Sequence, residues 1–180
     1  MSAKLSSAVI FLMGGAVLAG MMVTTPDYNS VFQPFKIHAS TGTVADGRLF
    51  DARFLGGRLV RNIAFKRLGK EVNRNSSGVF LIVDFEVLGV VASSQIAAKW
   101  KGNSARLYEA SPRFDYAPNI IQERTFQPGL NDKSFAVFEL PEDEVAGGQL
   151  ILSTRGITDL DGALYLDTAR ILPAIDFVRL

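Results

Sequence analysis

Two carboxylates, Asp84 and Glu86, stand two residues apart in the apolar run VFLIVDFEVL. In an extended chain that spacing puts both on one strand face with Cα atoms about 6.5–7 Å apart, close enough to share a cation or divide an acid/base task. The same spacing suits a sheet face on which each carboxylate pairs with an arginine of the next strand, and no further ligands accompany the two. Asp159, Asp161, Gly162 and Asp167 look like part of a calcium loop. Aligning Gly162 with the obligatory glycine of such a loop, however, puts Ile157 in the first ligand place and Thr168 in the twelfth, where carboxylates are needed, so turn formation is the better reading. His38 is the single histidine, has no triad pattern around it, and no G-x-S-x-G elbow occurs anywhere. Lys66, Lys70, Lys99, Lys101 and Lys133 fall in strand or turn contexts that suit exposure, which leaves a Ser–Lys dyad without a setting. Gly56-Gly57 and Gly147-Gly148 lack phosphate-loop spacing. With no cysteine in the chain, thiol chemistry, disulfides and Cys-based zinc sites are excluded. No catalytic, cofactor-binding or metal-binding residue is assigned, and no cofactor is expected.

Charge distribution says more than any motif. The chain has 180 residues with 19 Lys+Arg against 18 Asp+Glu, a net charge of +1 that gives no global reason for a polyanionic partner. Residues 48–74 nevertheless hold eight cations (Arg48, Arg53, Arg58, Arg61, Lys66, Arg67, Lys70 and Arg74) against Asp51 and Glu71. Such a stretch could face lipid headgroups or an acidic protein, each cation adding about 1 kcal/mol at an anionic surface. It could equally protect an edge strand and pair with Glu139, Glu142, Asp143 and Glu144. No interleaving of basic and aromatic residues typical of a nucleic-acid reader is present, so no nucleic-acid partner is expected.

The elements that would position these residues begin with Leu5 to Val23, nineteen residues without a charge. As a helix the run is about 28 Å long at about 1.5 Å per residue, close to the thickness of a bilayer core. Lys4 precedes it and Asp27 is the first charge after it, which leaves the N-terminus in the cytoplasm and the bulk of the chain outside. A signal peptide cleaved after Val17-Leu18-Ala19 is the competing reading, while a lipoprotein would need a cysteine. Gly15 with Ala19 and Ala16 with Gly20 are small pairs four apart that would let another helix approach closely.

Beyond it, Thr24 to Thr43 reads as a polar stalk, and the remainder as short apolar alternations separated by Gly, Asn, Asp and Pro. Val79 to Leu88 is the central strand. Leu49–Leu55 and Leu59–Phe65 read as a hairpin about Gly56-Gly57, with Asn73–Gly78 as a polar turn into the central strand. Ile96–Lys101 and Ala105–Glu109 form a second hairpin that brings Trp100 beside Tyr108. Gln127-Pro128-Gly129-Leu130 has the residues of a type II turn and introduces Phe135–Leu140, which Pro141 ends. Gln149–Thr154, Ala163–Asp167 and Ile171–Leu180 complete seven to nine strands, with Asp161-Gly162 as a turn. Sustained helical periodicity is absent after Val23, so the expected architecture is all-β: an antiparallel two-sheet sandwich over 44–180, preceded by an anchor over 1–23 and a stalk over 24–43.

The order GRLFDARFLGGRLVRNIAFK, GVFLIVDFEV, WKGNSARLY, FQPGLNDKSFAVFELPEDEVAGGQLIL resembles bacterial extracytoplasmic domains of immunoglobulin-like fold related to the secreted mycobacterial immunogenic protein. The resemblance covers about Gly47 to Thr154. It implies an immunoglobulin-like sandwich and brings no catalytic motif. Leu88 to Ser94 (LGVVASS) departs from the polar segment usual there, which marks an unusual apolar contact. The functional expectation is a non-enzymatic, single-pass protein of the cytoplasmic membrane whose outer domain is a binding or accessory subunit of an envelope assembly. A secreted binding module is the alternative, and an envelope hydrolase the third reading.

Overall fold

A computed structural model of the chain describes residues 2–25, 34–156, 161–168 and 171–180, with the side chains of the first segment described from Val9 onward. The chain divides into two compact units, Met1–Gln33 and Pro34–Leu180.

The described part of the first unit holds one helix, α1 (Ser2–Thr24), 23 residues long. From Val9 to Thr25 every side chain is exposed and no polar face interrupts the apolar surface. The helix ends where the Thr24 hydroxyl donates back to the Gly20 carbonyl at 2.8 Å, with Thr25 Oγ1 donating to that of Met21. Among the described residues no helix is long and apolar enough to cross a membrane.

The second unit is a β-sandwich. Its strands are β1 (Phe35–Ala39), β2 (Val44–Ala45), β3 (Asp51–Arg67), β4 (Lys70–Leu88), β5 (Ile96–Lys101), β6 (Leu107–Glu109), β7 (Asp132–Leu140), β8 (Gln149–Thr154), β9 (Gly162–Asp167) and β10 (Ile171–Arg179). One sheet has the order β1-β9-β8-β5-β6; the other runs β10-β3-β4-β7, with β2 added to β3. Among the described strands the chain changes sheet between β1 and β2, β4 and β5, β6 and β7, β7 and β8, and β9 and β10, so neither sheet is built from consecutive strands alone.

Strand alternation explains both layers of core. On β4, Val79, Leu81, Val83, Phe85 and Val87 face the other sheet and pack with Trp100, Phe138, Leu150, Leu152 and Leu164, all buried. The opposite face of the same sheet is not left to water. Val60, Ile63, Phe65, Phe80, Ile82 and Val137 form a second cluster that closes over Phe114, Ala117 and Ile120 of the β6–β7 connection. That connection is pinned down by the Ser111 amide on the Val137 carbonyl at 2.7 Å and by Arg113 on both oxygens of Glu139 at 2.8 and 2.9 Å. This is why Phe80 and Ile82, on the side of β4 expected to meet water in part, are fully buried.

Several expectations are corrected by these strands. Gly56-Gly57 is no hairpin turn: both lie inside β3, neither has a positive φ, and the pairing with β4 shifts register between Phe54 and Gly56. Glycine serves here for close approach, since a Cβ on Gly57 would stand 3.2 Å from Cγ1 of Ile171 on β10. Asn73–Gly78 is likewise strand, the first half of β4. The true hairpin turn is Leu68-Gly69, with φ of 49° and 80°, the paired positive values of a type I′ turn. Phe35–Ala39, placed in the stalk by composition, pairs with β9. The pairs β1–β9 and β10–β3 are parallel, so the sandwich is mixed rather than purely antiparallel, with ten strands among the described residues. The β5–β6 hairpin sets Trp100 opposite Tyr108 as expected, and the Gln127–Leu130 turn has Gly129 at φ 75° with Leu130 N–H on the Gln127 carbonyl.

Leu68 occupies a left-handed position that L-residues other than Asn and Asp enter at a cost of roughly 1–2 kcal/mol. Its side chain is 83% exposed and so gains little from packing. Leu68→Asn is therefore expected to stabilise the domain by about 0.5–1 kcal/mol, read as a higher urea midpoint with an unchanged slope.

Candidate interaction surface

The Asp84/Glu86 pair stands on the outer face of the β3–β4 ladder, and each carboxylate is taken by an arginine of β3. Glu86 pairs with Arg53 directly across the ladder, and Asp84 accepts from Arg58 at 3.0 Å. Burial pushes the Asp84 carboxyl above its ordinary range, and Arg58 only partly opposes that. This is the cross-strand arrangement of carboxylate and arginine.

Half of the basic stretch is spent in the same way. Arg48 pairs with Asp161 and Arg61 reaches Glu142 at 3.9 Å. Arg74 Nε lies 3.5 Å from the Arg113 carbonyl. Arg67 lies over the Tyr116 ring, 5.1 Å from its centroid. Lys66 and Lys70, on either side of the Leu68-Gly69 turn, are exposed and enter no ion pair among the described residues. Among the described residues, Lys66, Arg67 and Lys70 gather at the hairpin tip without a carboxylate partner. Of the expected acidic partners, Glu139 serves Arg113 and Glu142 serves Arg61.

Glu144, also expected to answer the basic stretch, does something else. It is 6% exposed, takes the Ser104 amide at 3.0 Å and the Ser104 hydroxyl, and its backbone carbonyl accepts from Trp100 Nε1 at 3.0 Å. The bonds from Ser104, hydroxyl first and then amide, hold its carboxyl below the ordinary range. The two carboxylates therefore act oppositely on stability. Glu144, depressed, contributes stability above its unfolded value that is lost as pH falls through its folded value. Asp84, raised, binds its proton more readily in the fold, so its contribution falls as pH rises through the folded value. Glu144→Gln is expected to flatten the acid limb of urea midpoint against pH, and Asp84→Asn to steepen it, since the opposing term is then removed.

His38 on β1 packs beside Tyr165 of β9, ring centroids 5.0 Å apart. Asp167 accepts from Gln149 at 2.7 Å, Gly162 opens β9, and Asp159 lies outside the described residues. Gly15, Ala16, Ala19 and Gly20 all lie exposed on α1, with open space where Cβ atoms would stand on Gly15 and Gly20.

Two features went unforeseen. A cleft of about 720 Å³ opens at one end of the sandwich, lined by Leu59, Val145, Ile171 and Pro173 with Thr41 and Asp167 among its polar members. The edge strand β10 exposes Leu172 (60%), Ile175 (45%) and Phe177 (56%), and its far side pairs with no strand among the described residues. Composition identified β10 as a strand, but only the parallel pairing with β3 reveals that it is an edge.

The chain matches no protein-family model and no curated protein. Among solved structures it is similar to an uncharacterized beta-sandwich protein from Clostridium difficile 630, at 10% identity over 75% of this chain and 95% of that one, with a TM-score of 0.46. It is also similar to the yjhA protein from Bacillus subtilis, at 12% identity over 71% and 99% of the two chains, with a TM-score of 0.47.

Proposed function

We propose that the chain is a membrane-tethered binding module: an immunoglobulin-like sandwich held outside the cytoplasm by its N-terminal helix, acting as an accessory subunit of an envelope assembly and performing no chemistry itself. The observation that carries the reading is how the ionisable groups are used. Asp84 and Glu86 are held by Arg58 and Arg53, and Glu144 by Ser104, whereas the exposed apolar side chains of the second unit include three on the edge strand β10. An edge of this kind accepts an added strand from a protein partner through its backbone, with side-chain contacts setting specificity. Pro173 and the register shift between Leu172 and Ile175 protect its first half, which leaves Ile175–Arg179 as the segment open to pairing.

The tether rests on the nineteen uncharged residues of Leu5 to Val23 and on a helix that is apolar on every side, a surface that water does not favour. The immunoglobulin-like assignment rests on the repeated sheet crossings and on a buried Trp in β5, the strand that follows the crossing from β4. Alkaline extraction of bacterial membranes carrying the full chain tests the tether. The 19.6 kDa chain is expected to stay in the pellet at full mass. Release of a product shorter by residues 1–19 would favour the secreted module instead.

A further inference from the structure

Two non-glycine residues with positive φ and large exposed side chains meet at one place in the fold. Leu68, at φ 49°, caps the β3–β4 hairpin and is 83% exposed; Tyr116, at φ 71°, is 52% exposed and lies under the guanidinium of Arg67. Backbone strain held by exposed side chains adds nothing to the fold, so it points to a task outside it. The hairpin end also lies beyond both neighbouring strands: β7 pairs with β4 only from Val79 onward, leaving Lys70–Gly78 without a strand partner on that side among the described residues, and β10 leaves β3 at Ala64. Around the tip stand Lys66, Arg67 and Lys70; of the acids nearby, Glu71 is taken by Arg179 from the end of β10, and Asp115 is the half-buried neighbour of Tyr116.

We propose that this tip is a contact for anionic lipid headgroups, with Leu68 entering the interfacial layer, Tyr116 at its water boundary, and Lys66, Arg67 and Lys70 on the phosphates. An isolated leucine with one tyrosine is far smaller than the roughly 800 Å² per partner of a stable protein interface. An apolar point ringed by cations, with an amphipathic ring beside it, has instead the chemistry of a bilayer surface. Each cation strengthens partitioning onto an anionic surface roughly fivefold, so the three together give on the order of a hundredfold. The proposal deepens the membrane-tethered reading but does not need the helix to be embedded.

The absence of cysteine makes the test direct. Leu68→Cys in the full chain, labelled with the fluorophore NBD, is reconstituted with vesicles of phosphatidylcholine alone or of equal parts phosphatidylcholine and phosphatidylglycerol. Blue-shifted emission, quenched by nitroxide lipids, is expected only with the anionic vesicles, and Lys66→Glu with Lys70→Glu should reduce it at least tenfold while the circular dichroism melt is retained. Water-like emission on anionic vesicles, or a shift indifferent to the charge reversal, would overturn the proposal. So would an equal shift on adding polyglutamate without lipid, which would assign the tip to an acidic protein. Salt separates this result from the tether: headgroup contact is lost at high salt, whereas flotation through an embedded helix persists, so either can fail without the other.

Discussion

Trp100→Ala is expected to cost the sandwich about 3–5 kcal/mol, a large share of the roughly 5–15 kcal/mol that holds an ordinary domain folded. Trp100 is fully buried between the sheets, its ring 6.1 Å from that of Phe138 across the core. Three separate losses add up. The side chain leaves a cavity, the Glu144 carbonyl loses its donor, and Gly148 loses the ring it was shaped to receive, since a Cβ there would stand 2.3 Å from Cζ2. Because Glu144 also holds Ser104, the β5–β6 loop should loosen as well, and hydrogen exchange at the Ser104 amide should rise with the substitution. Urea unfolding followed by far-ultraviolet circular dichroism measures the cost. A loss below about 1 kcal/mol would mean that the two sheets do not close on this residue.

Phe114→Ala tests the second core in the same way. Its ring meets Phe80 edge-on at 5.0 Å and lies 5.6 Å from Phe65, and it is fully buried although it sits in a connection rather than a strand. The expected cost is again about 3–5 kcal/mol. Unlike Trp100→Ala, this change should free one segment ahead of the whole. Amide exchange at Ser111, bonded to Val137, should rise before the β5–β8 ladder is affected. A loss confined to a few tenths of a kcal/mol would show that the β6–β7 connection does not cover the outer face of the sheet.

What could be read from residues alone, and what could not, divides along physical lines. Strand alternation is local, so Val79–Leu88, Gln149–Thr154 and the Trp100–Tyr108 hairpin were legible from period and turn residues. Gly56-Gly57 misled because a glycine pair fits both a tight turn and a strand approached closely by another. The choice depends on Ile171, more than a hundred residues away in sequence. Leu68-Gly69 was hidden for the converse reason, since a leucine in a left-handed position carries no turn signal beyond its glycine neighbour. The parallel edges β1 and β10 were not legible because pairing direction is set by tertiary contact. Of the basic stretch, composition displayed the charge, but only the register Arg53 with Glu86 and the reach of Arg58 to Asp84 show which cations remain free.

The central claim is that the sandwich works on the outer side of a membrane to which the same chain is fastened, and a single introduced thiol tests it most directly. Asn103 lies exposed in the β5–β6 loop, and the natural chain has no cysteine to compete. With Asn103→Cys expressed in bacteria, a maleimide that cannot cross the cytoplasmic membrane is expected to label the full-length chain in cells whose cytoplasmic membrane is intact, and the labelled chain should remain with the membrane fraction. Labelling that appears only after that membrane is broken would contradict the account.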